Sequence, residues 1–291
     1  MNYRILFTGV TSIHGWPVFD AFSRNCSNFE LLGIRSPKMK VPAADNIYSC
    51  CITNKDMLSH FKKSFNPTHV IHCAGVCDLD VCEERPHWAY SLNTEGSRIV
   101  AEVFGDCKVI YMSADLVFSG NNAPDGGYTE TDAPNPVSVV GKTITGAEKE
   151  IAVCKDHCIV RLGLPIGQSV TGTKGAIDFI AYRLKRKLPL TLFHDEWRSC
   201  IAVSDITNVL YQIVIKDAGG LLHLGGPKKY SLYEIGKYVR DVNGYDNQYL
   251  KGAMRKDEVN GPPRMGDVSL DSSKIQRMLD FEFRDPLLMT K

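Results

Sequence analysis

At 291 residues, with 44% hydrophobic and 23% charged side chains, the chain has the size and composition of a soluble enzyme-sized protein able to bury a full core. Its 34 Lys and Arg against 33 Asp and Glu leave a formal charge of +1, which gives no electrostatic reason to expect nucleic acid or an anionic membrane as partner. No signal-peptide pattern follows Met1 and no apolar run approaches the roughly 18 residues of a membrane span, so the expected location is cytoplasmic.

Read in chain order, Arg4 to Thr8 is a buried strand, Trp16 to Asn25 a helix, Glu30 to Arg35 a second strand and Asn46 to Ile52 a third. His69 to Cys73 follows as a strand, then a helix from about Pro86 to Phe104, a strand at Lys108 to Ser113, a helix around Gly141 to Cys154 and a strand at Cys158 to Leu162. Short apolar runs alternating with helical patterns predict a Rossmann-type α/β fold with a doubly wound parallel sheet. Residues 1–162 with about 198–218 are assigned to that domain. Residues 163–197 and 219–291, with amphipathic pieces such as Leu232 to Val242, are assigned to a smaller C-terminal lobe, with the cleft at the carboxyl ends of the strands.

The first strand runs into Thr8-Gly9-Val10-Thr11-Ser12-Ile13-His14-Gly15, the place for a dinucleotide loop. Gly9 permits the tight turn, Gly15 lets helix and strand approach, and backbone amides at the helix start face a pyrophosphate. Gly9, Thr11, Ser12, Ile13 and Gly15 are therefore the candidate cofactor residues of this loop. An NAD binder carries an acidic residue about 20 positions further on to accept from the ribose hydroxyls. Here Arg35, Lys38 and Lys40 occupy that corner, so a 2′-phosphate and hence NADP is favoured over NAD. The ten cysteines are read as reduced thiols, because the chain is long and carries no secretory signal. Spacings such as Cys154-x-x-x-Cys158 match no common zinc pattern, and no metal site is expected. His14, His194 and His223 are scattered, and each is read as a packing or hydrogen-bonding residue.

Three further segments carry a resemblance: Tyr111-Met112-Ser113-Ala114-Asp115-Leu116-Val117-Phe118-Ser119-Gly120, Glu130-Thr131-Asp132-Ala133-Pro134-Asn135-Pro136, and Val140-Gly141-Lys142-Thr143-Ile144 followed by Gly146-Ala147-Glu148. With Asp78 to Glu83, Arg198 to Asp205, His223 to Pro227 and Arg264 to Asp271, they resemble the extended short-chain dehydrogenase/reductases, most closely the dTDP-4-dehydrorhamnose reductase group. The resemblance spans nearly the whole chain. It implies that Cys73, Ala74, Gly75 and Asn93 lie on the cofactor side, and that a nucleotide-sugar-like ligand sits beneath the smaller lobe, with Cys77, Asp78 and Arg198 as candidate contacts. The family has a Gly where Ser12 stands.

The family also has a Ser or Thr at Ala114, a Tyr at Val140 and a Lys at Ile144. Reducing a ketone needs a proton donor at the developing alkoxide, and a positioned general acid contributes about 10²- to 10⁴-fold. None of the three residues present can act so. Lys142 lies two residues from both key positions and points off their face. Ser113 and Asp115 are expected to face away from Ala114 by strand alternation. Three functions stay open: a binding or regulatory protein, an enzyme with relocated groups running NADP-dependent reduction or non-redox chemistry, and a residual oxidoreductase. The favoured reading is an NAD(P)-binding protein with its usual catalysis lost or altered, acting alone, as a homodimer or in a regulatory complex.

Overall fold

The computed structural model describes residues 2–39, 44–172, 175–258 and 261–288. Its elements are β1 (Tyr3–Thr8), α1 (Gly15–Asn25), β2 (Phe29–Arg35), β3 (Ile47–Ser49), α2 (Lys55–Phe65), β4 (His69–His72), α3 (Leu79–Glu84), α4 (Pro86–Tyr90), α5 (Gly96–Phe104), β5 (Lys108–Ala114), α6 (Val139–Ile151) and β6 (Asp156–Leu162). After these come β7 (Leu164–Ile166), α7 (Ala176–Lys185), β8 (Leu190–Phe193), β9 (Trp197–Ala202), α8 (Val203–Ile215), β10 (Gly220–Leu224), β11 (Lys229–Ser231), α9 (Leu232–Asn243), β12 (Leu250–Ala253) and α10 (Ser273–Leu279). Among the described residues no helix is long and apolar enough to cross a membrane.

A seven-stranded sheet runs β10-β6-β5-β4-β1-β2-β3, with every neighbouring pair parallel. Its strands are apolar on both faces because helices cover both. Ile5 and Phe7 of β1 join Val18, Phe19 and Phe22 of α1 and Ile206, Val209, Leu210 and Ile213 of α8 on one side. Leu6, between them, joins Leu58 and Phe61 of α2, Val100 and Phe104 of α5 and Ile151 of α6 on the other. The chain order reverses between β1 and β4, the switch point where an open α/β sheet leaves a crevice at its carboxyl edge.

The smaller lobe holds the sheet β11-β9-β7 and the pair β12-β8, packed with α7 and α9 through Ile180, Leu184, Leu192, Ile235 and Val239. Two parts of the expected division move. Residues 198–202 belong to the lobe as β9, because they pair with β7 and β11. Within 219–291, β10 instead closes the large sheet against β6, and Ile275 and Leu279 of α10 pack into the large core. Local periodicity marks a strand but not the sheet that it joins.

Three buried histidines, with the half-buried His14 whose ring nitrogens are sealed from solvent, are expected to make the fold sensitive to acid. Burial lowers His14 to about 4 and His72 to about 3, and lowers His69 and His223 as well. Unfolded, each titrates near 6.5, so between that value and its folded one the unfolded state binds more protons and stability falls as pH falls. Urea unfolding is expected to give a constant free energy from histidine above pH 7 and a loss of several kcal/mol by about pH 4.

Candidate functional site

The loop after β1 keeps the path of a dinucleotide loop. Gly9 has φ +63°, and a Cβ there would lie 2.5 Å from the Ala74 backbone, so the ends of β1 and β4 meet only because this residue is glycine. Ser12 N donates to Gly9 O at 2.9 Å and Trp16 N to Ser12 O at 3.2 Å, closing the turn into α1. The amides of Ile13 and His14 make no hydrogen bond among the described residues. Thr11 is buried and Ser12 and Ile13 are half-buried. His14 carries both ring nitrogens sealed from solvent without a partner.

Around this loop Cys73 is buried, its thiol pushed up to about 12 by that burial, and Ala74 and Gly75 follow as the strand leaves the sheet. Asn93 is an internal brace. Its Oδ1 accepts from Val76 N at 2.7 Å, and its Nδ2 donates to Val76 O and Thr143 Oγ1, each at 2.9 Å. It sits in a π-helical turn, Ser91–Glu95, which splits the single helix expected from Pro86 to Phe104. Such turns recur at functional sites, where the widened coil aims a side chain inward. Arg35 closes β2, and its Nη1 donates to Met39 O at 2.8 Å and Ser36 O at 3.3 Å. Lys38 is exposed, and Lys40 lies outside the described residues.

Ala114, Val140 and Ile144, the three positions expected to correspond to acid–base groups, lie in one apolar cluster. α6 is started by Ser138 Oγ, accepting from Gly141 N at 3.2 Å, and by Glu83 Oε1, accepting from Val139 N at 2.6 Å. One turn apart on this helix, Val140 and Ile144 are 0% and 6% exposed, and Ala114 packs against the cluster that they share with Leu116, Val117 and Phe118. Lys142, between them, is exposed. A methyl, an isopropyl and a sec-butyl group can neither give nor take a proton.

The polar groups around that cluster have partners that the sequence does not announce. Asp115 is fully buried, and Arg198 of β9 grips it from two sides: Nε donates to Oδ2 at 2.6 Å and Nη2 to Oδ1. Arg198, a candidate ligand contact, thus commits one edge of its guanidinium to the protein. Ser113 turns the other way, with Oγ donating to Glu148 Oε1 at 2.5 Å. Simple alternation fails here because β5 ends at Ala114 and a 3₁₀ turn, Asp115–Val117, begins. Of the other candidate contacts, Asp78 is the N-cap of α3, accepting from Val81 N at 3.0 Å. Cys77 is solvent-accessible, yet the surrounding protein pushes its thiol upward, with Arg198 opposing and Asp115 and Asp78 adding to the shift. No group of three His, Cys, Asp or Glu side chains suited to a metal ion occurs among the described residues.

A family model described as the RmlD substrate binding domain matches residues 3–286. Methionine adenosyltransferase 2 subunit beta of Danio rerio is 25% identical over 280 residues, covering 94% of this chain and 84% of that protein. Among solved structures, dTDP-4-dehydrorhamnose reductase of Bacillus anthracis, in complex with NADP, superposes with a TM-score of 0.84 at 18% identity, covering 99% of this chain and 97% of its own. The enzyme WbmG of Bordetella bronchiseptica, in complex with NAD and UDP, gives a TM-score of 0.80 at 20% identity over 98% and 90% of the two chains. The two solved structures share the fold, and the extent of the family match makes this chain a member of the RmlD substrate-binding-domain family.

Proposed function

We propose that this chain binds a nicotinamide dinucleotide at the β1–α1 loop, NADP in preference to NAD, without the proton relay of the reductases that share its fold. A second, nucleotide-sugar-like ligand enters beneath the smaller lobe, and the protein works as a subunit of a larger assembly, as the name of its methionine adenosyltransferase relative describes that protein. The carrying observation is a contrast at the carboxyl edge of one sheet: the glycine turn and the unbonded amides remain after β1, while Ala114, Val140 and Ile144 belong to a buried apolar cluster beyond β5. Gly9, Thr11, Ser12, Ile13 and Gly15 would hold the pyrophosphate, Cys73, Ala74 and Gly75 would line the crevice, and Asn93 would hold that segment in place. Arg35 would meet the 2′-phosphate with the part of its guanidinium not bonded to Met39 and Ser36. A bound nicotinamide offers a hydride, but nothing at positions 114, 140 or 144 protonates the alkoxide that would form. All ten cysteines are free thiols, which suits the cytosol.

Calorimetric titration with NADP and NAD tests the binding half. NADP is expected to bind more tightly, and Arg35→Glu to weaken NADP selectively; equal affinities, or binding of neither, overturn it. The catalytic half predicts turnover of dTDP-4-keto sugars at least about 10²-fold below that of a reductase with its general acid in place. Turnover at an ordinary reductase rate would reveal an acid elsewhere in the cleft.

A further inference from the structure

The amides that open α1 are not equivalent. Those at a helix start have no helical partner and are available to an anion. Ile13 and His14 keep theirs unbonded among the described residues, but the third is taken: Gly15 N donates to Ser12 Oγ at 2.9 Å. The hydroxyl is held close, since a Cβ on Gly15 would lie only 2.6 Å from Ser12 Oγ and 2.9 Å from Gly9 O. The turn bonds from Ser12 N to Gly9 O and from Trp16 N to Ser12 O fix the backbone on either side of that side chain. An oxygen therefore already stands on a helix-start amide, as an oxygen of a bound phosphate would.

We propose that Ser12 sets the affinity of this loop for dinucleotides: its hydroxyl is an internal substitute for a phosphate oxygen on the Gly15 amide, and a pyrophosphate binds by displacing it. This rests on the reading that the loop takes a nicotinamide dinucleotide. Displacement requires Ser12 to rotate about χ1, giving up the bonds of its hydroxyl to the Gly15 amide and to the Cys73 thiol for others, while its Cβ stays in the cradle. A glycine at this position would leave all three amides open. The effect is confined to ligands with a pyrophosphate; a ligand that engages only the Arg35 corner never meets Ser12.

The test uses the full chain, its Ser12→Gly and Ser12→Ala variants, and three probes titrated by calorimetry: NADP, NAD and adenosine 2′-monophosphate, which lacks the pyrophosphate. Ser12→Gly is expected to bind both dinucleotides about tenfold more tightly than the unmodified chain, the factor that an ordinary hydrogen bond represents. Ser12→Ala, which frees the amide but keeps the Cβ, falls between them, and the monophosphate binds all three proteins alike. Circular dichroism and thermal unfolding verify that the variants are folded, and Ser12→Ala serves alone if the glycine variant is not. Dinucleotide binding that is unchanged or weaker in the variants overturns the proposal while leaving the cofactor reading intact. An equal gain for the monophosphate also overturns it, because the loop would then have loosened as a whole. If neither the unmodified chain nor a variant binds either dinucleotide, the cofactor reading itself falls.

Discussion

Replacing Arg198 with alanine is expected to lower the unfolding free energy by about 3–5 kcal/mol at neutral pH, the cost of stranding a buried charge. Asp115 is 0% exposed and its carboxylate faces two donors of the same guanidinium, so truncating Arg198 leaves an ion with neither water nor a counter-charge. The loss should depend on pH in a defined direction. Burial holds Asp115 above its ordinary value of 3.8, and Arg198 opposes that shift, so removing Arg198 moves the carboxyl further up. A folded-state pKa above the unfolded one means that the folded protein binds more protons, and stability then rises as pH falls through the folded value toward 3.8. The difference between variant and unmodified chain should therefore be largest above neutrality and shrink in acid. Urea unfolding of both proteins at several pH values checks this, and a deficit that stays flat with pH would mean that the pair does not carry it. A double variant, Asp115→Asn with Arg198→Met, should recover part of the loss, since replacing both members of a buried pair costs less than removing one.

The pair matters beyond stability because Asp115 leaves the large sheet at the end of β5 and Arg198 belongs to β9 of the smaller lobe. Residues 83 positions apart in sequence tie the large sheet to the three-stranded one. No local pattern announces such a contact. Arg198 reads as a ligand contact and Asp115 as a strand-end residue facing away from Ala114 until the fold brings the two together, and the 3₁₀ turn that aims Asp115 begins where strand periodicity stops.

What could be read from the chain follows the same division. The parallel sheet was legible because β1, β4, β5 and β6 are apolar on both faces and helical patterns separate them. The glycine loop was legible because Gly9 and Gly15 answer local backbone demands. Helix α2 was not recognised: it buries only Leu58 and Phe61 in a polar stretch, although its Asn54 cap and Asp56 in the first turn were available signals. The break at Ser91–Glu95 was also missed, because a π-helical turn carries no composition of its own. Ser12 stands out in the sequence as a departure from glycine, but its bond to Gly15 depends on a side-chain rotamer that spacing alone does not determine.

Glu148 of α6 stands at the centre of a buried polar network. Arg161 of β6 donates to it through Nε and Nη2, each at 2.8 Å, and Ser113 Oγ donates at 2.5 Å. Arg161 lies 5.1 Å over the Phe118 ring, which stacks at 4.0 Å on Tyr128. His223 Nδ1 lies 2.8 Å from Tyr128 O, a carbonyl that can only accept, so Nδ1 carries the proton and Nε2 accepts from Arg161 Nη1 at 3.4 Å. Burial lowers the pKa of His223, consistent with this neutral tautomer. The network fastens β5, α6, β6, β10 and the segment from Phe118 to Glu130 together, one helical turn beyond Ile144. It is satisfied within the protein, which makes it a fastening for α6 rather than a relocated acid. Arg161→Leu and Glu148→Leu are each expected to cost about 3–5 kcal/mol, because each strands the opposite charge together with Ser113 or His223. The double variant should cost less than either single change, so the coupling in the double-mutant cycle is at least as large as one of them, about 3 kcal/mol or more. Simple additivity in urea unfolding would show that the two side chains do not depend on one another, and Glu148 would then become a candidate for the chemistry that Val140 and Ile144 cannot perform.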